Sequence, residues 1–136
     1  MATIHRPISG WRPSTPEIMA DGFASLAESH PAIAIHFWAQ WNGVDPPMDE
    51  SVQAVAPRFA GRLHLVSCDI DRPENQRLCQ RSCIANVPTI AVFNKTELSG
   101  TIIGLREPEQ LAAEIERLLT TEQTRPSSLW RRLVSF

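Results

Sequence analysis

The sequence predicts an α/β domain in which a central mixed β-sheet of four or five strands is flanked by helices on both faces. Three observations predict it. Ala32 to Ala39 is a nearly continuous apolar run, interrupted only by His36, which suits a strand buried on both faces. Segments with strand and helix patterns alternate along the chain, as a layered α/β domain requires. Finally, Thr89–Phe93 and Gly100–Ile103 are separated by so short a turn, Asn94-Lys95-Thr96-Glu97, that they pair as a hairpin.

The elements follow in order. Ser14-Thr15-Pro16-Glu17 reads as a helix start: a hydroxyl cap, proline at the first helical position, then an acid at the positive end of the dipole. Ile18, Met19, Phe23, Leu26 and Ala27 continue at helical spacing until Pro31. After the first strand, Asp45-Pro46-Pro47 is expected to cap a second helix through Val52, Val55, Ala56 and Phe59. Arg62–Cys68 reads as a strand, with Cys68 a small hydrophobe at the end of a central one. Glu74–Ser82 is helical in composition. Glu107-Pro108-Glu109 opens a last helix with Leu111, Ala112, Ile115, Leu118 and Leu119 on one face.

A chain of 136 residues is one domain's worth, and 43% apolar with 21% charged residues is a globular balance. The net charge of −2 argues against a dedicated nucleic-acid binder. No apolar run approaches the roughly 20 residues needed to cross a bilayer. The first fifteen residues show no secretory signal, so the cytoplasm is the expected compartment. Charge divides the chain into an N-terminal arm (1–15), a body (16–120) and a basic C-terminal tail (121–136). The arm carries Arg6 and Arg12, and the tail carries Arg125, Arg131 and Arg132 against Glu122.

Over roughly residues 16–120 the sequence resembles the thioredoxin family. Phe37-Trp38-Ala39-Gln40-Trp41-Asn42-Gly43 is similar to the family's Phe-Trp-Ala-x-Trp-Cys-Gly. Asp69-Ile70-Asp71, with Glu74-Asn75 and Leu78, resembles the segment after the third family strand. Val87-Pro88-Thr89 is similar to the family's segment around a cis-proline, and Gly104 matches the glycine lining its substrate groove. The resemblance implies a thioredoxin-like fold with Val87–Pro88 cis. It also implies a groove at Trp41, Gly43, Val87, Pro88 and Gly104, in which an extended polypeptide pairs with the residue before the proline. Fold packing alone would equally keep Trp41 and Pro88.

The departures bear on function. Where the family has Cys-Gly-Pro-Cys, this chain has Asn42-Gly43-Val44-Asp45. Exchange needs an attacking thiolate and a second thiol to resolve the mixed disulfide, and neither an amide nor a carboxylate supplies one. The resemblance further places His36 at the family's buried aspartate and Ser67 at its lysine partner. Asp45 reads as a helix cap rather than as an acid/base or metal group with Asp49 and Glu50.

Three cysteines remain, Cys68, Cys79 and Cys83, an odd number that suits reduced thiols. Cys79 and Cys83, four apart, lie one above the other if the third helix runs that far. They then offer an alternative redox pair, or else stand where small residues are required, at positions resembling the family's alanine and glycine. His36 reads as a hydrogen-bonded core histidine. No metal-ligand spacing is present among His5, His30, His36 and His64, and no metal or cofactor is expected. In the tail, Leu129, Trp130, Leu133 and Phe136 would share one helical face, with Arg131 and Arg132 on the other. Such a segment can dock on a partner, touch a membrane surface or fold back on the body. Trp11 is a candidate anchor for the arm, and Ile4–Ile8 for a short edge strand. The leading expectation is a redox-inactive module that binds a partner polypeptide, as a chaperone or assembly factor does. The alternative is a thiol–disulfide oxidoreductase using Cys79 and Cys83.

Overall fold

The computed structural model of the protein describes residues 10–124. Every residue of β1 (Ala32–Trp38) is buried, and its alternation distributes side chains to two cores. Ala32 and Ala34 join Met48, Val52, Ile102 and Ile115 on one face; Ile33, Ile35 and Phe37 join Phe23, Leu78 and Phe93 on the other. His36 has the parity of Ala34 and therefore points toward the first core. The sheet order is β2-β1-β3-β4, with β2 His64–Asp69, β3 Thr89–Asn94 and β4 Glu97–Ile103. β1 pairs parallel with β2 and antiparallel with β3, and β3 forms the expected hairpin with β4. Helices α2 (Asp45–Val55) and α4 (Pro108–Thr124) cover the first face, while α1 (Phe23–Ser29) and α3 (Gln76–Arg81) cover the second.

Two expectations are corrected at the N-terminal end. Ser14–Glu17 does not start a helix, and regular helix begins only after a 3-10 turn at Ala20–Gly22. The segment is extended because β2 offers it an edge: Ser67 N donates to Pro16 O and Ile18 N to Ser67 O, both at 2.8 Å. The Ser14 hydroxyl and amide bond Asp49 instead of a helix turn. β2 is accordingly an edge strand, not a central one, and this short bridge protects the stretch that carries the fully buried Cys68.

Trp11 does anchor the chain: its amide donates to Gln40 Oε1, Gln40 Nε2 donates back to its carbonyl, and its ring meets Trp38 edge-on at 5.5 Å. Ile4–Ile8 and the tail residues Trp130, Arg131, Arg132, Leu133 and Phe136 lie outside the described residues. Among the described residues, no helix is long and apolar enough to cross a membrane.

The third helix also ends earlier than its composition suggests. α3 stops at Arg81, and Cys83 takes the left-handed conformation, φ 59°. Ile84 N donates to Cys79 O and Cys83 N to Gln80 O, the paired bonds of a Schellman C-cap whose left-handed position favours glycine. Cys83 is exposed and Cys79 buried, so the two do not stack on one helical face. Nor does size explain cysteine at position 83; the backbone conformation is the constraint there. Cys83→Gly is expected to stabilise the domain by about 1 kcal/mol, the cost of a side chain in this conformation. Urea unfolding checks it, and an unchanged or lower midpoint contradicts it.

At the far end of β1, His30 caps α1 and stacks on His64 with ring centroids 4.0 Å apart and planes 6° apart. Burial first, and then the neighbouring His30, push the His64 pKa below its ordinary value of 6.5. The unfolded chain therefore binds the proton more readily than the folded one. Stability conferred by neutral His64 is complete above the unfolded pKa and declines as pH falls below about 6.5. Urea midpoints measured from neutral to mildly acid pH should fall, and fall less steeply in His64→Phe.

Candidate functional site

The C-terminal end of β1, the start of β3 and the end of β4 lie side by side, since Phe37 pairs with Thr89 and Thr89 with Ile103. Three connections meet at this pole. The loop 39–44 leads from β1 into α2; the Val87–Pro88 bond, which is cis, precedes β3; and Gly104, at φ 93°, follows β4. Gly104 N donates to Pro88 O at 2.9 Å, tying the last two together.

Asn42 ties the first to the second. Its Nδ2 donates to Val87 O at 2.7 Å, while its Oδ1 accepts from Val44 N at 3.0 Å. The side chain thus closes the turn before α2 and occupies the carbonyl preceding the cis-proline. Trp41 beside it is 59% exposed. Gly43, in the same loop, is buried and lines neither of the two pockets described below.

Asp45 is not a cap. The residue preceding α2 is Val44, without a side-chain bond, and Asp45 is the first helical residue, buried completely. Its Oδ1 accepts from His36 Nε2 at 2.9 Å and its Oδ2 from Ala39 N at 3.0 Å. The parity of β1 aims His36 beneath α2, and the loop's turn brings Asp45 back over it. His36 Nδ1 has no hydrogen-bond partner. The sequence does not show these two as a pair; its only signal is a histidine in an apolar strand and an aspartate ahead of two prolines. Asp49 does not join them: it accepts from Ser14 and from Gln53 Nε2. Among the described residues no three His, Cys, Asp or Glu could hold a metal ion.

Two pockets are lined in part by residues of these connections. One, of about 390 Å³, is lined by Trp41, Ile70, Cys79, Ile84 and Val87 among others. The second, of about 410 Å³, is lined by Pro47, Glu50, Leu105, Arg106 and Glu107 among others. Ile103 (51% exposed) and Leu105 (44%) stand with Trp41 as the exposed large hydrophobes among the described residues. The sequence reading missed Ile103 and Leu105, which look like ordinary strand and post-strand residues until the pairing places them here. Of the candidate redox residues, Cys79 reaches the first pocket. Burial raises the pKa of its thiol, and the neighbouring Asp69 adds to the shift. Cys68 is pushed up to about 12, chiefly by burial.

A mixed four-stranded sheet with helices on both faces, and a cis-proline facing the loop that opens α2, defines a protein of thioredoxin fold. The family model for thioredoxin matches residues 15–117. Chloroplastic thioredoxin M4 of Arabidopsis thaliana is 33% identical over 94 residues, covering 69% of this chain and 48% of that protein. The thioredoxin of Acidithiobacillus ferridurans is 27% identical, with coverage of 69% and 85%. Protein disulfide-isomerase A3 of Gallus gallus is 28% identical, with coverage of 72% and 19%. The chain thus spans about half of the first relative, most of the second and a fifth of the third. A chain from a structural study of the thiol-resolving mechanism of yeast mitochondrial 1-Cys peroxiredoxin superposes with a TM-score of 0.66 at 23% identity, covering 76% of this chain and 95% of that one. The chain belongs to the thioredoxin family.

Proposed function

We propose that this family member performs no thiol–disulfide exchange at the loop before α2 and instead docks a partner polypeptide at the pole, as a cytoplasmic chaperone or assembly module without a cofactor. The supporting observation is the Asn42 bond to Val87 O. At the position resembling the family's attacking cysteine stands an amide, committed to the fold and to the carbonyl that an added strand would use. A partner that pairs with Val87 O must displace Asn42. Docking is therefore read as insertion of apolar side chains beside Trp41 and Leu105, with strand pairing secondary.

The oxidoreductase alternative has less support. Exchange runs through a thiolate, and burial opposes ionisation of Cys79, while Cys83 stands in an exposed C-cap.

Insulin reduced by dithiothreitol distinguishes the two readings in one assay, because catalysis shortens the lag before the B chain precipitates and binding lengthens it. The expected result is a lengthened lag, lost in Trp41→Glu. A shortened lag that returns to the uncatalysed value in Cys79→Ser would overturn the proposal.

A further inference from the structure

The pole that carries Trp41, Ile103 and Leu105 is acidic at its rim. Glu50 and Glu107 border the second pocket and Asp71 adjoins Ile70 of the first; all three are exposed and make no ion pair among the described residues. Arg106, the cation of the second pocket, is paired with Glu114 at 3.0 Å. Residues 125–136 have the opposite character: Arg125, Arg131 and Arg132, no acid, and the large apolar side chains Leu129, Trp130, Leu133 and Phe136.

Reach decides whose tail fits. α4 begins at Pro108, beside Leu105, and its 17 residues carry the chain about 25 Å away from the pole. Returning that distance fully extended consumes about seven of the twelve residues after Thr124. That span takes residues 125–131, Trp130 and Arg131 among them, and the five that remain are too few to cross both pockets. In a second copy all twelve are available.

We infer that residues 125–136 of one copy dock across the Trp41–Leu105 pole of a second copy, with the arginines against Glu50 and Glu107 and apolar side chains in the two pockets. The inference rests on the reading of this pole as a docking surface and names its occupant. Reciprocal exchange of tails closes a two-fold dimer, and one-way exchange builds an open chain. In either form the tail withholds the pole from other polypeptides until one competes for it.

The test is sedimentation velocity on the full chain with two variants. Ile103→Glu/Leu105→Glu alters the pole and leaves the tail intact; Arg131→Glu/Arg132→Glu does the reverse. The wild type should gain weight-average mass with concentration, to twofold or beyond, and lose the gain at high salt. Each variant alone should keep the mass of one chain, and an equimolar mixture should form a one-to-one pair, since one copy brings a good pole and the other a good tail. A wild type of constant mass overturns the inference, as does either variant associating like wild type or a mixture that fails to pair. Failure here remains distinct from failure of the docking reading. If the tail variant still lengthens the insulin lag and the pole variant does not, the surface binds polypeptides but not this tail.

Discussion

Asp45→Ala is expected to lower the stability of the domain by several kcal/mol, since each buried donor left without its acceptor costs about 1–3 kcal/mol. The carboxylate accepts from two donors, His36 Nε2 and Ala39 N, and all three residues are buried. Alanine leaves both donors without an acceptor in a place water does not reach. His36 already carries one unpartnered nitrogen, so the variant would bury an imidazole with none satisfied. Asp45→Asn keeps an acceptor of the same shape and should cost markedly less. His36→Leu tests the pair from the other side: it should leave Asp45 with Ala39 N alone, and a cycle with Asp45→Ala should show coupling well above that of independent sites. Urea unfolding of the four proteins measures it. A loss below about 1 kcal/mol in Asp45→Ala would mean that the pair is accessible to solvent and contributes no more than a surface contact.

The contrast between that pair and the rest of the fold shows what the sequence carries. β1, the β3–β4 hairpin and α4 are legible because their signals are local: an eight-residue apolar run, a short turn between two β-rich segments, and apolar residues at helical spacing. Ser14–Glu17 carries an equally good local signal for a helix, and it fails because Ser67 and Asp49, more than thirty residues away, offer its backbone and hydroxyl better partners. Asp45 fails in the same manner: a residue type suited to capping lies where the parity of β1 delivers a buried histidine. Only the resemblance sets Cys83 where the family has glycine, and its φ of 59° gives the physical reason. The resemblance groups Trp41, Val87, Pro88 and Gly104, and in the structure Trp41 and Val87 share a pocket while Gly104 bonds Pro88. The Asn42–Val87 bond spans 45 residues and leaves no trace in either local pattern.

Asn42→Cys/Asp45→Cys is expected to create a weak disulfide reductase activity at the loop before α2. The thiol introduced at position 42 stands before α2, whose N-terminal amides lower its pKa and supply thiolate. It attacks a substrate disulfide and forms the mixed disulfide. The thiol introduced at position 45 then attacks the sulfur at position 42, releasing the substrate as a thiol and leaving a bond between 42 and 45, which dithiothreitol reduces. Loss of the Asn42 amide also frees Val87 O for the incoming chain. Two features hold the rate down. Val44 replaces the proline of the family motif, and His36, deprived of its carboxylate, occupies the position that resembles the family's proton-transferring aspartate. A missing proton-transfer group costs about a hundredfold or more, so the variant should trail an ordinary thioredoxin by at least that factor. It should also be less stable, for the reason that Asp45→Ala is. Adding His36→Asp removes the stranded imidazole and supplies the missing carboxylate, and it should raise the rate further. Insulin reduction followed by turbidity, on protein shown to unfold cooperatively, reads all three. A folded double variant no faster than the dithiothreitol background would mean that the pole does not admit an extended disulfide-bearing chain, and the docking reading would fall with it.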